Sequence, residues 1–236
     1  MTRAREMDAK SKSRLVCRGA LVILLAAAGC ATEEPTYDLS PAGRYTAEDQ
    51  FERRGDQPPS AKTLHSLARL LSGQGKDAEA RFVLARTIRE HDHFMPAYNE
   101  LAELQMKDGQ IEEAVKVLSL GLQVAPKDPV LLNNLGLCRL LRGQYDEAIE
   151  SFTAAAAAAP DDARYRANMA AALGMAGRYE EAIAVYEQVL PPDQAHYNLG
   201  VICETRGDTG RSKIEFQRAE DLQLQAQQEA LRNPGA

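Results

Sequence analysis

The sequence predicts an all-α solenoid of about five helix-turn-helix repeats. The first observation is that residues 129–162 carry two apolar stripes at helical spacing, separated by the breaker Gly143 and closed by Pro160. The second is periodicity, because Gly143 corresponds to Gly109 and to Gly177 at steps of 34 residues. A unit of this size cannot bury its apolar face alone, so the repeats are expected to stack into one array of ten helices.

Residues 129–162 resemble the tetratricopeptide repeat (TPR), whose pattern is W-x2-L-G-x2-Y, then A-x3-F, then P. Leu132 and Arg139 stand where the two aromatic residues of the first helix are usual. The pattern is matched at Leu135, Gly136, Ala148, Phe152 and Pro160. The resemblance implies a right-handed superhelix whose concave face is lined by the first helix of each repeat.

The period divides the array, residues 61–222, into five units. Pro191 and Pro192 end the second helix of the fourth unit early, since proline cannot continue a helix. The units are residues 61–94, 95–128, 129–162, 163–192 and 193–222. Polar residues over 223–236 extend the last helix and end in a tail at Asn233-Pro234-Gly235.

Residues 1–29 read as a lipoprotein signal peptide. Basic residues up to Arg18 precede a short apolar run over residues 20–28, which is too short to span a bilayer. The end of this run resembles a bacterial lipobox, although Ala27 replaces the usual leucine. The resemblance implies that Cys30 carries lipid of the palmitate class, while plain secretion and an uncleaved anchor stay open as alternatives.

Residues 30–60 are expected to be a flexible tether after the lipidated cysteine, because four prolines and mixed charge interrupt any helical period. Residues 44–54 are the one stretch of this tether that favours a transient helix. By resemblance, lipobox proteins without an aspartate after the cysteine are sorted to the outer membrane. Ala31-Thr32 therefore implies a location in the bacterial cell envelope, facing the periplasm.

The charge balance argues against nucleic acid as a partner. Without residues 1–29 the chain has 22 basic and 32 acidic side chains, since six of the 28 basic and two of the 34 acidic residues are removed. Nucleic-acid binding relies on Lys and Arg to neutralise phosphates. Membrane attachment is accordingly expected through the lipid at Cys30 and not through a basic surface.

No spacing in the chain predicts catalysis, a metal site or a cofactor. Nucleophile elbows, zinc-protease helices and phosphate-binding glycine loops are all missing from the sequence. His91-Asp92-His93 is more simply a solvated loop than a metal site, because no third ligand is near in sequence. Cys138 and Cys203 lie two repeats apart, so we expect two buried thiols and no disulfide.

The candidate binding residues form a row on the first helices. Asn134, Asn168 and Asn198 recur one per repeat, and a carboxamide can both donate to and accept from a peptide backbone. We expect these side chains to point into an open groove and to bind an extended peptide. The neighbouring residues proposed to complete the peptide site are Asn133, Leu137 and Tyr197. The competing interpretation is that the asparagines only stabilise neighbouring repeats.

The surroundings of this row change along the array. Leu141 and Met175 add apolar side chains beside it, whereas His65, Arg69 and Glu103 make the groove charged toward the first repeat. The sequence thus favours a lipid-anchored scaffold that binds another protein in the envelope.

Residues 163–200 resemble the last repeats of the TadD family of tight-adherence (Flp) pilus assembly lipoproteins. The shared tract is R-x-N-x-A-x-x-L-G-x-x-G-R-x-x-E-A running into Leu-Pro-Pro, although this chain keeps a fifth repeat. The resemblance implies a role in assembling a pilus secretin and its fibre. The alternative is an accessory lipoprotein that positions an envelope enzyme of peptidoglycan or polysaccharide metabolism.

Overall fold

The computed structural model describes residues 58–232, which form ten α-helices and no strand. The helices are α1 (Ala61–Gly73), α2 (Asp77–Glu90), α3 (Met95–Lys107), α4 (Ile111–Val124), α5 (Pro129–Leu141), α6 (Tyr145–Ala158), α7 (Ala163–Met175), α8 (Tyr179–Tyr186), α9 (Pro192–Thr205) and α10 (Thr209–Arg232). The predicted all-α repeat fold is confirmed. The predicted signal peptide, Cys30 and all but the last three residues of the tether lie outside the described residues, as do residues 233–236.

Each repeat turns between its two helices at a glycine. At Gly143 the backbone has φ of 73°, and the following Gln144 N–H donates to the carbonyl of Arg139 at 2.9 Å. This left-handed conformation satisfies carbonyls at a helix end and favours glycine, which has no Cβ to clash. The corresponding glycines, all with positive φ, are Gly75, Gly109, Gly177 and Gly207.

The two helices of a repeat begin differently. In α5 the Asp128 carboxylate accepts from the backbone N–H of Val130 and of Leu131, both at 3.0 Å, and so caps the first helix. The second helix of the same repeat, α6, has no side-chain cap and instead carries Asp146 and Glu147 in its first turn. These acids lie next to the positive end of the helix dipole.

The core is built from small residues opposite large ones. Within the third repeat, the Phe152 ring lies directly over Gly136, where a Cβ would be 2.6 Å from the ring. Ala148 is fully buried beside this contact. Between repeats, Leu131 and Leu135 of α5 join the buried cluster formed by Leu118 and other residues of the second repeat. Each interface thus buries an apolar face that a single repeat would expose.

The fourth repeat is shortened as the two prolines predict. Helix α8 ends at Tyr186 after only eight residues, and α9 begins at Pro192. Helix α10 is much longer, with 24 residues, and projects beyond the end of its partner α9. None of the helices in residues 58–232 combines the length and apolar character needed to cross a membrane.

The first helices form the inner layer of the array. Helices α3, α5, α7 and α9 each contact the next one in this series, whereas each second helix contacts the following repeat through that repeat's first helix. The close spacing of the first helices puts them on the concave side. Their side chains therefore decide what this surface can bind.

The two cysteines in the described part of the chain are free and fully buried, as predicted. Burial raises the pKa of the Cys138 thiol to about 11, and it also raises the pKa of Cys203. Both groups are accordingly thiols at neutral pH and pack as small apolar side chains.

Candidate protein-binding face

A staircase of polar contacts links the first helices across the concave face. Asn168 Nδ2 of α7 donates to Asn133 Oδ1 of α5 at 2.7 Å, and Asn134 Nδ2 of α5 donates to Asn99 Oδ1 of α3. Each contact joins residues 35 positions apart. At these two steps an asparagine side chain thus reaches one first helix back, and the helices are close enough for direct amide–amide bonds.

The first step of the staircase has a different chemistry. His65 Nε2 of α1 lies 2.6 Å from Glu100 Oε2 of α3, again over a separation of 35 residues. The His65 ring also makes an edge contact with the ring of Phe94, with centroids 5.3 Å apart. The last step is absent for a simple reason. Asn198 of α9 corresponds to Asn168, but the residue one helix back is Ala167, which has no polar side-chain atom.

The expectation that the asparagines point into an open groove was wrong. Asn134, Asn168 and Asn198 are only 2%, 7% and 5% exposed, and Asn133 is also buried. The physical reason is the close approach of neighbouring first helices, which covers these short side chains. In the case of Asn134 and Asn168 it also lets the carboxamides bond to Asn99 and Asn133. Asn133 Nδ2 in addition donates to Asn134 Oδ1 at 3.1 Å, so the Asn168–Asn133 and Asn134–Asn99 contacts form one network. Their assignment as peptide ligands stays a prediction.

Glu103 lies at the charged end of this network. Its carboxylate accepts from Asn99 Nδ2 at 2.9 Å and from Asn134 Nδ2 at 3.5 Å. Burial raises the pKa of Glu103 above its ordinary value, although the two amide hydrogen bonds act in the opposite direction. The charged form is therefore held at a desolvation cost, which a cation from a partner would offset.

The other end of the concave face is apolar and partly open. Leu137 and Leu141 continue the stripe of Asn134 along α5, and Leu141 is 63% exposed. Met175 and Tyr197 are half-buried on the two following first helices, and the Tyr197 ring packs against Phe216 with centroids 5.5 Å apart. The predicted change from apolar to charged surroundings along the groove is thus present in the structure.

A polar cluster at the C-terminal end was missed from the sequence. The Glu215 carboxylate is buried and contacts His196 Nδ1 at 2.7 Å and Arg211 Nε at 2.5 Å. An open cavity of about 580 Å³ adjoins it, lined by His196, Glu215, Arg218 and others. Arg211 and Glu215 follow helical spacing, but no local signal brings His196 to them. The contact depends on how α9 packs on α10.

The described residues hold no cluster of three or more metal-binding side chains. His93 is largely exposed, as expected for a solvated loop, whereas His91 turns inward and its Nε2 lies 3.1 Å from the carbonyl oxygen of Pro59. The latter contact ties the segment before α1 to the end of α2.

Comparison with known proteins agrees with this architecture. Two family models described as tetratricopeptide repeat match residues 71–135 and 128–191. The chain therefore contains tetratricopeptide repeats, and this class of fold serves protein–protein interaction. No curated protein matches the chain.

Solved structures similar to the chain show the same fold. MamA from Desulfovibrio magneticus RS-1 is 22% identical with a TM-score of 0.57, and the match covers 70% of this chain and 96% of that one. YrrB, described as a TPR protein with an unusual peptide-binding site, is 18% identical with a TM-score of 0.56, covering 75% and 91% of the two chains. At such identities the likeness supports the fold alone.

Proposed function

We propose that this tetratricopeptide-repeat protein is a scaffold that holds an extended segment of a partner protein along its concave face. The observation that carries the proposal is the exposed apolar side chain of Leu141 at the apolar and partly open end of this face. Together with Leu137, it offers apolar surface whose burial on binding is favourable. The peptide-binding site described for YrrB is a fact about that protein, and here it is a precedent only.

The chemistry of the partner segment follows from the two ends of the face. Apolar side chains of the segment would pack on Leu141, Met175 and Tyr197 over the third to fifth repeats. A Lys or Arg side chain toward the first repeats would lie beside Glu100 and Glu103, where it would offset the cost of a partly buried carboxylate. The segment is thus expected to be apolar at one end and basic at the other.

Among the three predicted asparagines, Asn198 is the strongest candidate for a direct backbone contact. Asn134 and Asn168 already donate to Asn99 and Asn133 within the staircase. Asn198 lies opposite Ala167, which cannot accept a hydrogen bond from it through its side chain. Its carboxamide consequently retains capacity for a carbonyl or N–H of a bound segment.

The proposed site can be tested with peptides selected from a phage-displayed random library on the wild-type chain. Leu141→Ser removes apolar contact surface, and a loss of about 1.5 kcal/mol corresponds to roughly tenfold weaker binding. The matched control is Leu120→Ser, since Leu120 is similarly exposed but lies on the second helix α4. Glu103→Gln should weaken only those peptides that carry a basic residue, because it removes the negative charge and keeps an amide oxygen.

Peptides that bind Leu141→Ser as tightly as the wild type, but bind Leu120→Ser more weakly, would move the site to the outer surface. Equal binding to all variants would exclude both the surface around Leu141 and the surface around Leu120 as the peptide-binding site. The triple alanine variant of Asn134, Asn168 and Asn198 is less suited to this test. Two of these side chains bond neighbouring repeats, so a loss of binding would be mixed with a loss of stability.

We also propose that the scaffold is a lipoprotein, anchored through Cys30 to the outer membrane and facing the periplasm. The support is the basic start, the apolar run over residues 20–28 and Gly29-Cys30. The tract at 163–200 and its Leu-Pro-Pro ending support a role in tight-adherence pilus assembly.

Co-purification after crosslinking in cells distinguishes a role in pilus assembly from an accessory role beside an envelope enzyme. Recovery of pilus secretin subunits, reduced by Leu141→Ser and not by Leu120→Ser, supports pilus assembly. Recovery of a peptidoglycan or polysaccharide enzyme with the same dependence on Leu141 favours the accessory role instead.

A further inference from the structure

The first helix of the array exposes two leucines whose equivalents in the second repeat are buried. Leu67 and Leu70 of α1 are 43% and 59% exposed, whereas their equivalents one period on, Leu101 and Leu104, are each only 6% exposed. The residue types are identical at both positions. The difference therefore reflects the neighbour that each helix has and not its own composition.

The missing neighbour is a preceding second helix. Leu101 and Leu104 of α3 lie in one buried cluster with Ala80 and Leu84 of α2, the second helix of the repeat before. In α1 the same face has no such helix among residues 58–232. In α5 and α9 the corresponding pairs are also buried, namely Leu135 with Cys138 and Leu199 with Ile202.

The chain just before α1 carries the sequence pattern of a second helix. Ala47-x3-Phe51-x7-Pro59 has the same spacing as Ala148-x3-Phe152-x7-Pro160 of the third repeat. Thr46 and Asp49 form the [ST]-x-x-[DE] signature of a helix start. The connection from Pro59 to α1 is one residue shorter than that from Pro160 to α7, since Ser60 itself caps α1.

We infer that residues 44–54 form a lone second helix that packs on α1 and covers Leu67 and Leu70. Ala47 would take the place that Ala80 has in the next interface, and Phe51 the place of Leu84. The contact between His91 Nε2 and the Pro59 carbonyl, at 3.1 Å, holds the chain against the array at the point where this segment must return to α1.

A second copy of the chain is a poorer occupant of this face. A stable interface between proteins buries about 800 Å² on each partner, and two partly exposed leucines provide far less. A segment joined to α1 by a few residues instead acts at a high effective concentration. The length of the connection and the size of the face both favour the chain's own residues.

Tryptophan fluorescence tests the inference, because the chain contains no tryptophan. In the 236-residue chain, Phe51→Trp should show blue-shifted emission and protection from acrylamide at all protein concentrations. Adding Leu70→Asp should abolish both, since a carboxylate in the contact opposes burial of the ring. Adding Leu120→Asp, an exposed site on α4, is the matched control and should change neither.

Circular dichroism of each variant checks that the array remains folded. Indole emission that acrylamide quenches fully in the Phe51→Trp variant overturns the inference, and protection that grows with protein concentration assigns the face to a second copy. A second variant avoids the larger side chain: Phe51→Cys with Leu70→Cys should form an intramolecular disulfide, and Phe51→Cys with Leu120→Cys should not. Equal yields from the two pairs would contradict the proposed packing.

Discussion

Asn168 of the fourth repeat donates from Nδ2 to Asn133 Oδ1 of the third at 2.7 Å, and both side chains are buried. This hydrogen bond requires a specific geometry, unlike the apolar packing that otherwise holds the interface together. Because each repeat contacts only its neighbours, such a bond contributes to the coupling between adjacent repeats. Asn134 with Asn99 and Glu100 with His65 make the same step in the first half of the array.

The staircase predicts that Asn168→Ala destabilises the chain by about 1–3 kcal/mol, since it leaves the buried Asn133 oxygen without this donor. Asn198→Ala should cost less, because Asn198 lies opposite Ala167 and makes no such step. Urea unfolding of the two variants measures the difference, and both positions are similarly buried.

A double-mutant cycle on Asn133 and Asn168 isolates the bond itself. Alanine at both positions should cost less than the sum of the single changes, with a coupling of about 0.5–1.5 kcal/mol. A coupling free energy of zero would mean that the two side chains act independently and that the hydrogen bond between them does not stabilise the fold.

The contact of Phe152 with Gly136 predicts that a larger residue at position 136 can be compensated in part by a smaller residue at position 152. Gly136→Ala puts a Cβ 2.6 Å from a fully buried ring, which should destabilise by about 1–3 kcal/mol despite the better helix propensity of alanine. Adding Phe152→Leu should recover part of this loss, because the second repeat pairs Ala102 with Leu118 at the same two positions.

Thermal unfolding of the single and double variants tests this exchange. Phe152→Leu alone is the necessary control, since it leaves space over Gly136 and should also destabilise. If the double variant is no more stable than Gly136→Ala, the two residues do not compete for the same volume.

The raised pKa of Glu103 predicts that the folding stability of the chain changes with pH in a known direction. Its folded-state pKa is raised by burial, so the folded state binds the proton more tightly than the unfolded state does. Stability from this group is therefore present at low pH and falls as the pH rises through the folded pKa. Glu103→Gln should raise the melting temperature at pH 7, and the gain should vanish below about pH 4, where the glutamate is protonated in both states.

Glu220→Gln, on the exposed side of α10, provides the comparison and should give no such pH-dependent gain. A Glu103→Gln variant that is less stable than the wild type at pH 7 would show that the carboxylate is held by net favourable contacts.

The proposed lipobox predicts that Cys30→Ala prevents lipid attachment. Labelling with a radioactive fatty acid should be lost and unprocessed chain should accumulate, because the thiol that accepts the lipid is gone. Cys17→Ala is the control and should keep the label, since Cys17 lies within the proposed signal peptide and is not the proposed lipid acceptor. Label that persists without Cys30 would rule out the lipobox.

Much of the fold could be predicted because its signals are local. Gly143 ends one helix, Tyr145 begins the next, and Pro191-Pro192 shorten α8, all through backbone conformations set within a few residues. The repeat period then assigns neighbours without any long-range information. The recurrence of Asn134, Asn168 and Asn198 at equivalent positions of the first helices could likewise be read from the period, whereas their role as peptide ligands stays a prediction.

Only the tertiary structure decided what this row does. Whether Asn168 faces solvent or Asn133 depends on the distance between α5 and α7, which a one-dimensional pattern does not contain. The same holds for Glu215, whose burial with His196 follows from the packing of α9 on α10, and for Leu70, which is exposed only because no described helix precedes α1. Helical periodicity thus determined the elements and their order, whereas burial and hydrogen bonding were set by the neighbours that packing brings close.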